Sequence, residues 1–118
     1  MRDDVLVIED DPTLGTLFKT FLSFDQIDAT VCQRGDAALQ RIDNDALRPS
    51  LVILDMHLPD MSGEEIYAYL QEKYPRIEIM IVTADSNLFA HYSTFHTKTF
   101  HKPLPMDEFR AVVQETLS

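Results

Sequence analysis

Val5-Leu6-Val7-Ile8-Glu9-Asp10-Asp11-Pro12 decides the reading of this chain: four apolar residues without a polar break, three carboxylates, then a proline. An unbroken, β-branched apolar run marks a strand buried on both faces, as in a parallel sheet covered by helices. Leu51-Val52-Ile53-Leu54 and Ile79-Met80-Ile81-Val82 repeat the pattern. Ala29 to Cys32 and Lys98 to His101 are weaker strand candidates. Helical periodicity lies between them, clearest at Leu14, Leu17, Phe18, Phe21 and Leu22, with Pro12 suited to the first turn and Asp11 to the cap. Further helices are expected over Asp36 to Asn44, Gly63 to Lys73 and Met106 to Leu117, the last with Phe109, Val112, Val113 and Leu117 inward. The stripe Leu88, Phe89, Tyr92 and Phe95 reads as the buried face of a fourth helix. Five strands alternating with five helices predict right-handed βαβ units and a parallel sheet with helices on both faces. The expected organisation is one domain over residues 1–118.

Composition narrows the function. Asp and Glu number 20 against 10 Lys and Arg, a formal charge of −10, and so acidic a surface repels a phosphate backbone, so no direct nucleic-acid binding is expected. No apolar run reaches the roughly 20 residues that span a bilayer, and Met1-Arg2-Asp3-Asp4 leads into a strand without the features of a secretory signal. A cytoplasmic location is the expectation. Cys32 is the sole cysteine, which excludes an internal disulfide and a cysteine-based metal cage.

Open parallel sheets carry their ligand sites beyond the carboxyl ends of the strands. The residues there are Glu9, Asp10 and Asp11 after the first strand, Asp55 after the third, Thr83 after the fourth and Lys102 after the fifth. Gathered carboxylates repel one another unless a cation joins them, and all-oxygen donors suit a hard ion such as Mg²⁺. The chemistry these groups permit is phosphoryl transfer to a carboxylate: an aspartate nucleophile, with a cation, a hydroxyl and an ammonium for the transferring oxygens. Acidic residues after a strand also cap helices, and Asp11 before Pro12 is read as a cap rather than a ligand.

Val-Leu-Val-Ile-Glu-Asp-Asp-Pro at 5–12, Leu-Val-Ile-Leu-Asp-Met-His-Leu-Pro-Asp-Met-Ser-Gly at 51–63, Ile-Val-Thr-Ala at 81–84 and Lys-Pro at 102–103, taken in order, resemble the response-regulator receiver domain of two-component signalling. The resemblance covers essentially the whole chain and implies a flavodoxin-like strand order 2-1-3-4-5. It implies that Asp55 is the phosphoacceptor, that Glu9, Asp10, Asp55 and the backbone carbonyl of His57 hold Mg²⁺, and that Thr83 and Lys102 contact the phosphoryl group. It further implies a cis bond between Lys102 and Pro103 and a histidine kinase or histidine phosphotransfer protein as donor. An output domain or partner protein would receive the signal, and a homodimer that forms on phosphorylation is a further expectation. Such a domain catalyses only its own phosphorylation and dephosphorylation.

The sequence also departs from the family. The aromatic usual three positions before the lysine is Thr99 here, and the adjacent Phe100 points to the opposite face of the strand. The stretch from Thr83 to Lys102 is shorter than usual, Thr97-Lys98 replaces a small pair, and the fourth helix is expected to be short or displaced. Thr99 favours the alternative of a pseudo-receiver, an interaction module that does not respond to phosphate, whereas the complete set of site residues argues against it. An aspartyl phosphohydrolase would want a second aspartate where His57 stands, and a flavodoxin-like cofactor binder a glycine- or hydroxyl-rich loop where Glu9 to Asp11 stand. His91, His96 and His101 do not share a helical face, so they are not read as a metal site. A contact between His57 and Asp85 is expected to close the approach of water to the phosphorylated residue.

Overall fold

Five strands alternate with five helices in this computed structural model, which describes residues 3–44, 46–95 and 98–118. The order is β1 (Asp3–Ile8), α1 (Pro12–Phe24), β2 (Asp28–Cys32), α2 (Gly35–Asp43), β3 (Leu51–Asp55), α3 (Gly63–Lys73), β4 (Glu78–Thr83), α4 (Ser86–Ser93), β5 (Lys98–His101) and α5 (Met106–Leu117). All strand pairs are parallel, in the order β2-β1-β3-β4-β5. The central strands are the unbroken apolar runs because both their faces are covered. Leu6, Ile8, Val52, Leu54, Ile79 and Ile81 pack into one core with residues of α2, α3 and α4. Val5, Val7, Leu51, Ile53, Met80 and Val82 pack into the other with α1 and α5. The period-2 alternation of a strand divides each run between the two cores.

Local chemistry sets the helix starts that frame the site. Asp11 caps α1, accepting from the backbone N–H of Thr13 at 2.9 Å and Leu14 at 3.4 Å, and Pro12 supplies the first turn. Ser62 and Glu65 form a capping box at α3. Gly63 is required there: a Cβ would stand 2.5 Å from the Cα of Met56, inside any tolerable contact. Asp25 at the end of α1 holds Arg110 of α5 through two bonds of 2.8 and 3.0 Å, a fork-to-fork pair that fixes the two helices on one face of the sheet.

Several expectations are corrected at the edges. Helix α2 starts at Gly35 rather than Asp36 and ends at Asp43. Leu17 of α1 stays 40% exposed, and Val112 and Leu117 of α5 are only half-buried. Of the α4 stripe only Tyr92 is buried, Leu88 and Phe89 are half-buried, and Phe95 is 54% exposed. The physical reason is length: α4 has eight residues, two turns, and Phe95 lies beyond its end. Phe100 of β5 does turn into the α1/α5 core, edge-on to Phe109 at 5.6 Å between centroids, and Thr99 takes the opposite face. Among the described residues no helix is long and apolar enough to cross a membrane.

Candidate functional site

Parallel strands pointing the same way bring their carboxyl ends to one edge, and the polar residues singled out by sequence meet there. Carboxylate oxygens of Glu9, Asp10 and Asp55 lie within 4.8 Å of one another. Glu9 and Asp55 are buried, at 1% and 4% exposure, while Asp10 faces solvent. The Lys102 ammonium reaches in from the end of β5, donating to Glu9 Oε1 at 3.0 Å and standing 3.6 Å from Asp55 Oδ1. Its backbone N–H donates to the carbonyl of Thr83 at 2.8 Å, which ties β5 to β4 beside the site. The Lys102–Pro103 bond is cis.

Three carboxylates against one ammonium leave the cluster short of positive charge. The Glu9 carboxyl is pushed up to about 7, first by burial and then by its hydrogen bond with Asp55 and the charge there; the bonds from Lys102 and the Asp11 N–H oppose the rise without cancelling it. Oxygen donors, deficient in charge compensation and converging within a few ångströms, fit a hard divalent cation. Asp11 is turned away as the cap of α1, and its N–H donates to Glu9 Oε2 at 3.2 Å.

Around this cluster, His57 N–H donates to Asp55 Oδ1 at 3.2 Å. Thr83, fully buried, accepts from the N–H of Asp85 at 3.0 Å. Asp85 in turn caps α4, accepting from Asn87 at 2.8 Å and Leu88 at 3.1 Å. Thr83 is thereby linked through one residue to the start of α4. His57 Nε2 lies 3.9 Å from Asp85 Oδ2. That distance is too long for a hydrogen bond, so the expected contact between the two side chains is a loose approach and not a bond.

Among the described residues the histidines do not converge. His101 touches Ser86 Oγ at 3.3 Å and stacks edge-on with Phe89, while His91 packs on Tyr92 and Phe95. His96 lies outside the described residues. Sequence reasoning missed Asp60, whose carboxylate accepts from the N–H groups of Gly35 at 2.9 Å and Asp36 at 2.7 Å. The available signal was negative: Arg34-Gly35-Asp36 opens a helix without a residue suited to cap it.

A doubly covered parallel sheet with an acidic cluster and a lysine at its carboxyl edge defines the class, and the sequence comparison defines the family: this chain belongs to the response regulator receiver domains, whose family model matches residues 5–114. Among solved structures, TrrA of Thermotoga maritima, determined in complex with Mg²⁺-BeF, aligns with a TM-score of 0.85 at 26% identity, over 98% of this chain and 99% of that one. The signal receiver domain of a LuxO repressor protein from Vibrio parahaemolyticus gives a TM-score of 0.83 at 28% identity, over 99% and 91% of the two chains. The DNA-binding transcriptional regulator NtrC of Escherichia coli K12 is 25% identical over 120 residues, covering 99% of this chain and 25% of NtrC. The DNA-binding response regulator MtrA of Mycolicibacterium smegmatis is 33% identical over 87 residues, 74% of this chain and 37% of MtrA. The chain thus spans a quarter of NtrC and little more than a third of MtrA.

Proposed function

We propose that this receiver domain is a Mg²⁺-dependent phosphoacceptor and that Asp55 takes the phosphoryl group from a histidine kinase or histidine phosphotransfer protein. The observation that carries the reading is the meeting of Glu9, Asp10 and Asp55 within 4.8 Å beside the Lys102 ammonium. Glu9, Asp10, Asp55 and the carbonyl of His57 would hold the ion, which when bound supplies positive charge to the transferring phosphoryl oxygens.

The chain's own groups do the rest. A carboxylate oxygen of Asp55 attacks phosphorus as the phosphorus–nitrogen bond of the donor breaks; the electron pair leaves on the imidazole nitrogen, which takes up a proton from solvent. Lys102 exchanges part of its contact with Asp55 for a phosphoryl oxygen, and the Thr83 hydroxyl donates to another. Drawing Thr83 inward pulls on the N–H of Asp85 and so on the cap of α4, which makes α4 and β5 the switching elements. No turnover beyond Asp55's own phosphorylation and dephosphorylation is proposed. The setting is cytoplasmic, and the signal passes to an output domain or a partner protein, with dimerisation on phosphorylation as one form of output.

A second reading, a pseudo-receiver that binds partners without responding to phosphate, is favoured by one observation: Thr99 stands where the family carries its switching aromatic, and Phe100 is committed to the opposite core. Titration with Mg²⁺ and then beryllofluoride, followed by backbone chemical shifts, separates the two. The phosphoacceptor reading expects saturable shifts at Asp10, Asp55, Thr83 and α4; the absence of shifts with either addition favours the pseudo-receiver.

A further inference from the structure

The loop between β3 and α3 follows Asp55 and includes His57, and its construction assigns work to a residue outside the site. His57 and Ser62 form an antiparallel bridge, and Gly63 N–H donates to the carbonyl of Met56 at 3.1 Å. The base of the loop is thereby closed, with Leu58, Pro59, Asp60 and Met61 as its tip. The tip is held by packing of Leu58 and Met61 on the core and by a carboxylate that reaches a different element. Asp60 accepts from two consecutive backbone N–H groups, Gly35 at 2.9 Å and Asp36 at 2.7 Å, which are the first residues of α2.

Two further observations show that this contact is built in. Arg34, at the N-cap position of α2, makes no side-chain capping bond and instead pairs with Asp36; the cap comes from Asp60, more than twenty residues along the chain. Gly35 permits the approach, because a Cβ there would lie 2.8 Å from Met61 Cγ and 2.6 Å from Ile66 Cδ1. The carboxyl of Asp60 agrees with the arrangement: burial pushes it up, but the N–H groups of Asp36 and Gly35, together with bonds from its own backbone and the Asp36 side chain, hold it below the ordinary carboxylate range.

We infer that Asp60 is a positioning residue for the metal site, a remote cap that locks the loop bearing the His57 carbonyl against α2 so that the carbonyl is held ready beside Asp55. The inference rests on the proposed Mg²⁺ site. A loop tip held by apolar packing alone samples more conformations than one also tied by two hydrogen bonds, and ordering it when the ion binds weakens binding. Outer groups that orient metal ligands are commonly worth 10- to 100-fold in affinity. Acting through a loop backbone rather than directly on a ligand, Asp60 is expected at or below the bottom of that range, about three- to tenfold.

The test compares Mg²⁺ dissociation constants by titration calorimetry for the wild type, Asp60→Ala, Asp60→Asn and Asp43→Asn, with urea midpoints for each. Asp43 bonds Tyr69, Lys73 and Tyr74, joining α2 to α3 away from the loop, so Asp43→Asn lowers stability without reaching the tip. Expected are a dissociation constant raised about three- to tenfold in Asp60→Ala, a smaller rise in Asp60→Asn, which keeps one acceptor, and none in Asp43→Asn. Should Asp60→Ala not fold, Asp60→Asn decides alone. Unchanged affinity in the Asp60 variants overturns the inference, and so does an equal loss in Asp43→Asn, which would reduce the effect to general loosening. A wild type that binds no Mg²⁺ overturns the inference together with the metal site itself, and that outcome is visible in the first titration.

Discussion

Glu9→Gln in metal-free protein offers a quantitative probe of the acidic cluster. In the wild type the Glu9 carboxyl rises from its ordinary 4.5 to about 7 on folding. As pH climbs past 4.5 the unfolded chain releases this proton first, while the native state retains it until about 7. Stability linked to Glu9 is therefore fully present below 4.5 and is lost as pH rises through the folded value. At 1.36 kcal/mol for each pH unit, a rise of this size corresponds to about 3 kcal/mol. Glutamine has no proton to lose, and its carbonyl still accepts from Lys102. Urea unfolding in EDTA between pH 4.5 and 8 measures the difference between the two proteins, in which the titration of the four histidines cancels to first order. The variant should gain on the wild type across this window by up to about 3 kcal/mol and then level off. Added Mg²⁺ at pH 8 should restore more stability to the wild type than to the variant, since it binds the native state. Two curves that stay parallel across the window would refute the reasoning that burial and Asp55 oppose ionisation of Glu9.

Asp10→Asn should weaken Mg²⁺ binding more than Asp11→Asn, because Asp11 is committed to capping α1; calorimetry showing equal losses would contradict this division of labour. His57→Ala should shorten the lifetime of the phosphorylated state at neutral pH, measured by loss of label after donor removal, because His57, two places after Asp55, approaches Asp85, two places after Thr83, to 3.9 Å; an unchanged or longer lifetime would remove His57 from that role. Thr99→Tyr should enlarge the chemical-shift response of residues 88–96 to beryllofluoride, and identical responses would mean that another element carries the signal.

How much of this was legible in the sequence follows from where each residue sits. Strands β1, β3 and β4 are covered on both faces, so selection for burial writes them as unbroken apolar runs, and the residues ending them could be assigned to one edge. Edge strands β2 and β5 are only partly buried, and their runs are correspondingly mixed. The cap Asp11 was legible because its bonds span two and three residues. Asp60 was not, because its partners lie 24 and 25 residues away and no local pattern encodes that distance. The contact of Lys102 with Glu9 spans 93 residues; topology placed both at the same edge, but that the ammonium sits on Glu9 more closely than on Asp55 emerges only from the packed site. The stripe on α4 misled because periodicity gives the direction of a helical face, not where the helix stops, and Phe95 falls past the last turn.

The most direct measurement is intact mass after incubation with acetyl phosphate and Mg²⁺, taken on the wild type and on Asp55→Asn, with EDTA as the metal control. If Asp55 is the metal-assisted phosphoacceptor, the wild type gains the mass of one phosphoryl group, and the gain disappears both with EDTA and in the variant while the fold is retained. An adduct that persists undiminished in Asp55→Asn, or one indifferent to EDTA, would contradict the assignment.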